Sequence, residues 1–167
     1  MPRDIDRAAP TLPLLAIRSR LAPTVLGGYG APPARPCMHP EIERYNKKLE
    51  PAHEELCNAL AKTIEEGLSA AQGKVWHAHP VWFLAGNPTV GYSRQKRGIR
   101  LMFWSGADFD EPGLDVPGAK FKDASVFWNT KADIDEPALV RWLRKARLIQ
   151  WNYRDLVKKK GRLERLD

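Results

Sequence analysis

The clearest indication of the fold is the sequence Ile99-Arg100-Leu101-Met102-Phe103-Trp104. Its odd-numbered residues are all large and apolar, whereas its even-numbered residues are mixed in character. Successive side chains of a strand point to opposite faces of a sheet. The stretch therefore predicts a strand, residues 98–104, with one face for a core. Its second face carries Arg100, Met102 and Trp104.

Three further short runs, residues 81–84, 89–93 and 125–129, are rich in β-branched and aromatic residues. Two turn-forming stretches lie between these segments. Gly86-Asn87-Pro88 separates run 81–84 from run 89–93, and Gln95-Lys96-Arg97-Gly98 separates run 89–93 from the predicted strand 98–104. Connections this short favour hairpins between antiparallel strands. The sequence therefore predicts a small antiparallel meander.

Helical patterns lie on both sides of these strands. Residues 41–49 are predicted to form a short helix with its apolar residues on one face. A second helix begins at Pro51, and its apolar residues continue at helical spacing up to Leu68. A third helix begins with Asp133 or Asp135 as its N-cap, and the pattern predicts that it extends or restarts until Gly161. The predicted fold class is α+β, a small antiparallel sheet flanked by N-terminal and C-terminal helices.

The two ends of the chain differ from its middle. Residues 1–40 hold eight of the fourteen prolines, which predicts a disordered or loosely draped tract. An equally weighted alternative is that translation begins at Met38. We expect one α+β domain over residues 41–160 and a charged tail over 161–167.

Composition predicts a soluble, cytoplasmic protein. The chain has 167 residues and a formal net charge of +7, but the excess of cations lies in the terminal segments. Cys37 and Cys57 have no metal-binding or redox spacing, which suits a reducing compartment. No apolar run reaches the length of a membrane span, so we expect no membrane partner.

The local strings of residues 41–160 resemble the YdhG-like family, a domain of unknown function grouped with YjbR-like and CyaY-like proteins in a frataxin-like superfamily. These strings are Trp76-His77-Ala78-His79-Pro80-Val81-Trp82-Phe83, Gly91-Tyr92, residues 99–106, Lys122-Asp123-Ala124-Ser125-Val126-Phe127 and the final helix. The resemblance implies the same α+β fold but no agreed activity.

The superfamily implies iron handling through carboxylates on the early helices, which makes a frataxin-related metal protein an alternative function. In this chain Glu54, Glu55, Glu65 and Glu66 are interleaved with lysines such as Lys62. Mixed charge is typical of an ordinary solvated helix face.

His77 and His79 are two residues apart, so in an extended strand both imidazoles would point to one side and could share a metal ion. Such a site would need further ligands, for which Asp108 and Asp110 are candidates. The alternative is two half-buried histidines with hydrogen bonds at the start of a strand.

Aromatic side chains around the predicted sheet are too numerous for one core face, and exposed aromatic patches usually indicate binding. We predict a groove for a small planar or anionic ligand. Its candidate residues are Trp76, His77, His79, Trp82, Tyr92, Arg100 and Trp104. The alternative is that helices cover one face while tryptophans cap the margins of the core.

The C-terminal part of the chain is basic, and a basic stripe can bind nucleic acid. The candidate residues are Arg141, Arg144, Lys145, Lys158, Lys159 and Lys160. The alternative is a solvated helix end, where cations also favour the helix dipole.

The sequence contains no nucleophile elbow, phosphate-binding loop or dinucleotide fingerprint. We therefore expect a non-catalytic module that binds a small molecule or a protein partner, as a monomer or a dimer. No cofactor is expected, apart from the metal ion considered above.

Overall fold

The computed structural model of the protein describes residues 38–118 and 120–166. The disorder predicted for the N-terminal tract falls almost entirely on residues 1–37, which lie outside the described residues.

The described residues form three α-helices: α1 (Pro40–Asn46), α2 (Pro51–Gly67) and α3 (Glu136–Leu148). Each has a proline in its first turn, where the missing N–H would have no intrahelical partner. Asp135 caps α3 by accepting a hydrogen bond from the backbone N–H of Ala138, at 2.9 Å.

The predicted continuation of the last helix to Gly161 is wrong. Ile149 already has an extended backbone, with φ −114° and ψ 101°. The next residues form a short strand, β7 (Gln150–Trp151), which pairs with β8 (Arg165–Leu166). In addition, the backbone N–H of Trp151 donates to Ser105 Oγ at 3.0 Å. Tertiary hydrogen bonds therefore replace the helical ones after Leu148.

The main sheet confirms the predicted α+β class. Its six strands, in chain order, are β1 (Gln72–Trp76), β2 (His79–Leu84), β3 (Asn87–Gln95), β4 (Gly98–Phe103), β5 (Val116–Pro117) and β6 (Ala124–Trp128). They pair antiparallel in the spatial order β1-β2-β3-β4-β6-β5. β1 was not among the predicted strands.

One face of the sheet, here called the inner face, packs against the helices. Ile99, Leu101 and Phe103 of β4 are fully buried there, together with Leu60 of α2 and Leu139 of α3. The alternation read from residues 99–104 is thereby confirmed, because Arg100 and Met102 lie on the opposite, outer face. The apolar faces of the helices and of the sheet thus bury each other in one shared core.

None of the helices in the described ranges has the length and apolar character required to cross a bilayer.

Candidate ligand groove on the outer face

The outer face of the sheet holds a second, smaller apolar cluster. Val81, Phe83 and Trp104 are buried in it, and Met102 and Tyr153 pack against them. No helix residue belongs to this cluster. The outer face is therefore covered by side chains and by the C-terminal segment, residues 150–166.

Gly91 allows Trp104 to lie against the outer face. A Cβ atom at this position would come within 2.6 Å of the carbonyl oxygen of Pro80 and 3.2 Å of the Trp104 ring. The first distance is a clash with backbone that cannot simply move aside. Glycine at this position thus permits the close approach of two strands and an indole.

Asn87 holds the C-terminal segment in place. Its side chain is buried, and its amide nitrogen donates to the carbonyl oxygen of Trp151 at 3.0 Å. Its amide oxygen accepts from the backbone N–H groups of Tyr153, at 2.9 Å, and Arg154, at 3.1 Å. Because this one side chain satisfies three backbone groups, it fixes the path of the chain over the outer face.

A groove of about 370 Å³ lies between the sheet and this segment. Its lining is mostly apolar and includes Trp76, Met102, Trp104, Phe121, Tyr153 and Val157, with Asp123 as its one charged residue. Five large apolar side chains are exposed in the described part of the chain. Three of them, Trp76, Phe121 and Val157, line this groove.

The polar side of the groove is an organised ion pair. Arg100 donates to Ser125 Oγ at 2.8 Å and to Asp123 Oδ2 at 3.3 Å. Both charged side chains are mostly buried, with exposures of 30% for Arg100 and 17% for Asp123. The pairing neutralises the carboxylate, so the groove presents a polar edge with little net charge.

Trp76 is the partly exposed indole of the groove. Its ring centroid lies 6.3 Å from that of Trp104 and 5.6 Å from that of Phe83, the latter edge-on. The centroid of the His77 ring lies 4.2 Å away. Nevertheless 37% of Trp76 remains exposed, which leaves aromatic surface for a planar ligand.

The predicted site residues separate into two groups. Trp76, Arg100 and Trp104 lie at or beside the groove. Trp82 and Tyr92 do not, because they belong to the fully buried core on the inner face. Tyr92 donates its hydroxyl to Asn46 Oδ1 at 2.8 Å, so it links the sheet to α1 rather than lining a site.

The extended backbone assumed for His77 and His79 is wrong. His77 and Ala78 both have positive φ, 49° and 66°, and form the tight turn between β1 and β2. His79 begins β2, and its Nδ1 lies 2.8 Å from the carbonyl oxygen of His77. That contact occupies one ring nitrogen of His79, and burial lowers its pKa.

No group of three or more His, Cys, Asp or Glu side chains within the described ranges is placed to hold a metal ion. Asp108, a candidate further ligand, instead accepts from Trp151 Nε1 at 2.9 Å and pairs with Lys122 at 3.1 Å. Metal binding by the histidines and frataxin-related iron handling both remain predictions.

The basic candidates for nucleic-acid binding lie on two different elements, because α3 ends at Leu148. Arg141 and Lys145 on α3 both pair with Glu111, at 3.4 Å and 2.9 Å. In the C-terminal segment, Lys158 pairs with Asp155 and Lys159 with Glu164. Arg144 and Lys160 are exposed. The continuous basic stripe assumed from the sequence is thus interrupted by acidic partners.

The thiol of Cys57 is buried in the inner core, and burial raises its pKa to about 12. A thiol in that state is protonated at neutral pH and is a poor nucleophile.

Several groove residues were not predicted as site residues: Phe121, Asp123, Tyr153, Leu156 and Val157. Tyr153, Leu156 and Val157 were assigned to a helical extension, so their approach to the sheet could not be foreseen. For Phe121 and Asp123 the sequence carried a weak signal, an aromatic residue inside the charged run Lys120-Phe121-Lys122-Asp123.

The fold and the groove together define an α+β domain with an open aromatic face. No protein-family model matches the chain, and no curated protein matches it. Among solved structures, the chain is similar to the crystal structure of a DUF1801 family protein, YdhG, from Bacillus subtilis. The two share 14% sequence identity with a TM-score of 0.49, over 72% of this chain and 91% of that chain. A likeness at this level carries no information about ligand or activity.

Proposed function

We propose that the protein is a YdhG-like domain that acts as a non-catalytic binding module for a small planar ligand. The observation that carries this proposal is the convergence of Trp76, Phe121 and Val157, three exposed apolar side chains, on one groove. Exposed apolar side chains that are scattered singly need no explanation, whereas a shared concave patch is a common mark of a binding site.

The lining favours a flat, largely apolar ligand over a flexible polar one. The indole rings of Trp76 and Trp104 line the groove, and so do the rings of Phe121 and Tyr153, whose centroids are 6.0 Å apart. Aromatic surfaces bind planar rings by stacking or edge contacts. The Arg100–Asp123 pair beside them offers a hydrogen-bonding edge that would orient such a ring.

The groove has few of the features that catalysis requires. Burial raises the pKa of Tyr153 to about 12, so its hydroxyl remains protonated, and it accepts a hydrogen bond from the backbone N–H of Lys122 at 3.0 Å. Asp123 is held by Arg100. General acid–base catalysis needs a group whose pKa lies near the working pH, which the Tyr153 hydroxyl does not offer. These observations support binding without chemistry.

The six tryptophans provide a direct test, because each indole N–H gives its own NMR signal. They are Trp76, Trp82, Trp104, Trp128, Trp142 and Trp151. Titration with naphthol, a planar aromatic probe, should shift the signals of Trp76 and Trp104. The signals of Trp128 and Trp142 should stay in place, because both rings lie in the inner core.

Two matched variants sharpen this test. Val157 and Leu148 are the most exposed apolar side chains described, at 91% and 78%, but only Val157 lines the groove. Val157→Asp should weaken naphthol binding, while Leu148→Asp should leave it unchanged. Equal effects of the two variants, or shifts spread evenly over all six indoles, would contradict the proposal.

A further inference from the structure

The outer face continues past the groove to a second, cationic pocket at the β3–β4 hairpin. This pocket has a volume of about 480 Å³ and is lined by Gln95, Lys96, Arg97, Arg100, Val116 and Phe127. Three of the six residues are cations and none is acidic. The Arg97 guanidinium lies 4.5 Å from the centroid of the Phe127 ring, so this pocket also combines an aromatic surface with positive charge.

Arg100 connects the two pockets. It lines the cationic pocket, and its partner Asp123 lines the apolar groove. The strand order β1-β2-β3-β4-β6 places Trp76 and Phe127 four strands apart on the same face. With neighbouring strands about 4.8 Å apart, the two rings are separated by roughly 19 Å across the sheet. The two pockets thus form one elongated surface.

Aromatic rings on this surface are repeatedly accompanied by cations. Besides the Arg97–Phe127 contact, Lys74 Nζ lies 4.5 Å from the Phe83 ring and Lys120 Nζ lies 5.5 Å from the Phe121 ring. Lys74, Lys96, Arg97 and Lys120 are all exposed. Two acidic side chains, Asp123 and Asp108, are paired with Arg100 and Lys122.

We propose that the outer face binds single-stranded nucleic acid, with unpaired bases stacking on Trp76 and Phe121 and phosphates contacting Lys96, Arg97 and Lys120. Nonspecific single-strand binding combines an aromatic platform with a positively charged track. A duplex would not fit as well, because its bases are stacked on each other and cannot reach the rings. The inference rests on the proposed function, since it identifies the planar ligand as a nucleobase.

The test uses the full chain and a fluorescein-labelled oligoadenylate of about ten nucleotides, in DNA and RNA forms, followed by anisotropy. Binding of both forms indicates a surface that reads bases and phosphates alone. Binding of RNA alone indicates additional contacts to the 2′-hydroxyl. Either result supports the proposal. The affinity should fall with added salt. A plot of the logarithm of the binding constant against the logarithm of the salt concentration should have a slope of about −0.7 for each phosphate contact.

Two double variants remove equal charge from different surfaces. Lys96→Gln/Arg97→Gln changes the outer face, whereas Arg144→Gln/Lys160→Gln removes two exposed cations of the basic segments considered above. Lys96→Gln/Arg97→Gln should weaken binding and reduce the magnitude of the salt slope by about 1.4, which corresponds to two lost phosphate contacts. Arg144→Gln/Lys160→Gln should change neither the affinity nor the salt slope. The reverse pattern, or equal losses, would overturn the sheet-face assignment.

The stacking contribution has its own variant. Trp76→Ala should weaken binding between about 5-fold and about 150-fold, the range for loss of one base–aromatic stack. Trp76 is partly exposed, so circular dichroism should show an unchanged fold. Equal affinity for a duplex of the same sequence would contradict the stacking.

The inference and the proposed function can fail separately. If no oligonucleotide binds but naphthol still shifts the Trp76 signal, the nucleic-acid inference is overturned and the small-ligand function stands. If neither probe binds, both are overturned.

Discussion

The inner and outer faces of the sheet are made by the same strands, yet they are completed differently. On the inner face, Phe103 and Trp142 pack with rings 6.1 Å apart, and both are almost fully buried under the helices. On the outer face, Trp76 and Phe121 remain more than one third exposed. Alternation along the strands supplies apolar side chains to both faces, but within residues 38–118 and 120–166 helices cover only the inner face.

This difference shows why aromatic content alone does not locate a site. Trp82 and Trp104 come from neighbouring parts of the sheet and have the same side chain, but they lie on opposite faces. Trp82 is a core residue because it is buried under the helices. Trp104 belongs to the outer surface, which a ligand or partner can reach.

The largest difference in stability is expected when one phenylalanine is substituted on each face. Phe103→Ala should lower the free energy of unfolding by about 3–5 kcal/mol, because it leaves a cavity in a fully packed core. Phe121→Ala should lower it by about 1 kcal/mol or less, since its ring is partly exposed. Urea unfolding followed by circular dichroism measures both changes.

If Phe103→Ala does not yield folded protein, the pair Phe103→Leu and Phe121→Leu makes the same comparison with smaller changes. Similar losses at the two positions would show that the outer face is as firmly packed as the inner one. That result would remove the distinction on which the groove depends.

A second test concerns the C-terminal segment, residues 150–166, which lies over the outer face. Asn87→Ala would leave the partly buried backbone N–H groups of Tyr153 and Arg154 without their acceptor. The expected loss is about 1–3 kcal/mol, the range for a buried polar group left unsatisfied. Amide hydrogen exchange should increase over residues 150–158 and remain unchanged in α2, because the variant releases one segment.

Asn129→Ala is the matched control for this variant, since Asn129 is exposed in a loop. It should change neither stability nor exchange in residues 150–158. If Asn87→Ala raised exchange throughout the sheet instead, the C-terminal segment would be part of the common core and not a separate cover.

The sequence predicted the inner face well because that face obeys local rules. The alternation of residues 99–104, the helical spacing from Leu56 to Leu68 and the Asp135 cap each depend on near neighbours along the chain. The same rules fixed the sheet as antiparallel through its short turns. These features need no knowledge of distant contacts.

The outer face was harder to predict because its contacts are distant in sequence. Asn87 holds Tyr153, which is 66 residues further on, and no local pattern signals such a pairing. The positive φ of His77 and Ala78 was also missed, because neither residue is a typical former of a left-handed turn. As a result, β1 was overlooked and the two histidines were placed in a strand.

The smallest expected effect is a pH dependence that arises from His79 at the edge of the outer face. Burial, and to a lesser extent the positive charges of His77 and Arg100, lower the pKa of this imidazole below its ordinary value of about 6.5. As pH falls below that value, the unfolded chain takes up a proton at this residue before the folded protein does. Stability should therefore decrease as pH falls through this range.

His79→Gln should remove this contribution, so the variant should lose less stability than the wild-type protein between about pH 7.5 and about pH 5.5. Urea midpoints at the two pH values measure the difference, and an NMR titration of the imidazole gives the pKa directly. Because His79 is only half-buried, the effect should be modest. An equal pH dependence in the two proteins, or a His79 pKa above about 6.5, would show that the histidine is solvated. In that case solvent would reach the edge of the outer face beside Trp76, and the groove would be less enclosed there than we propose.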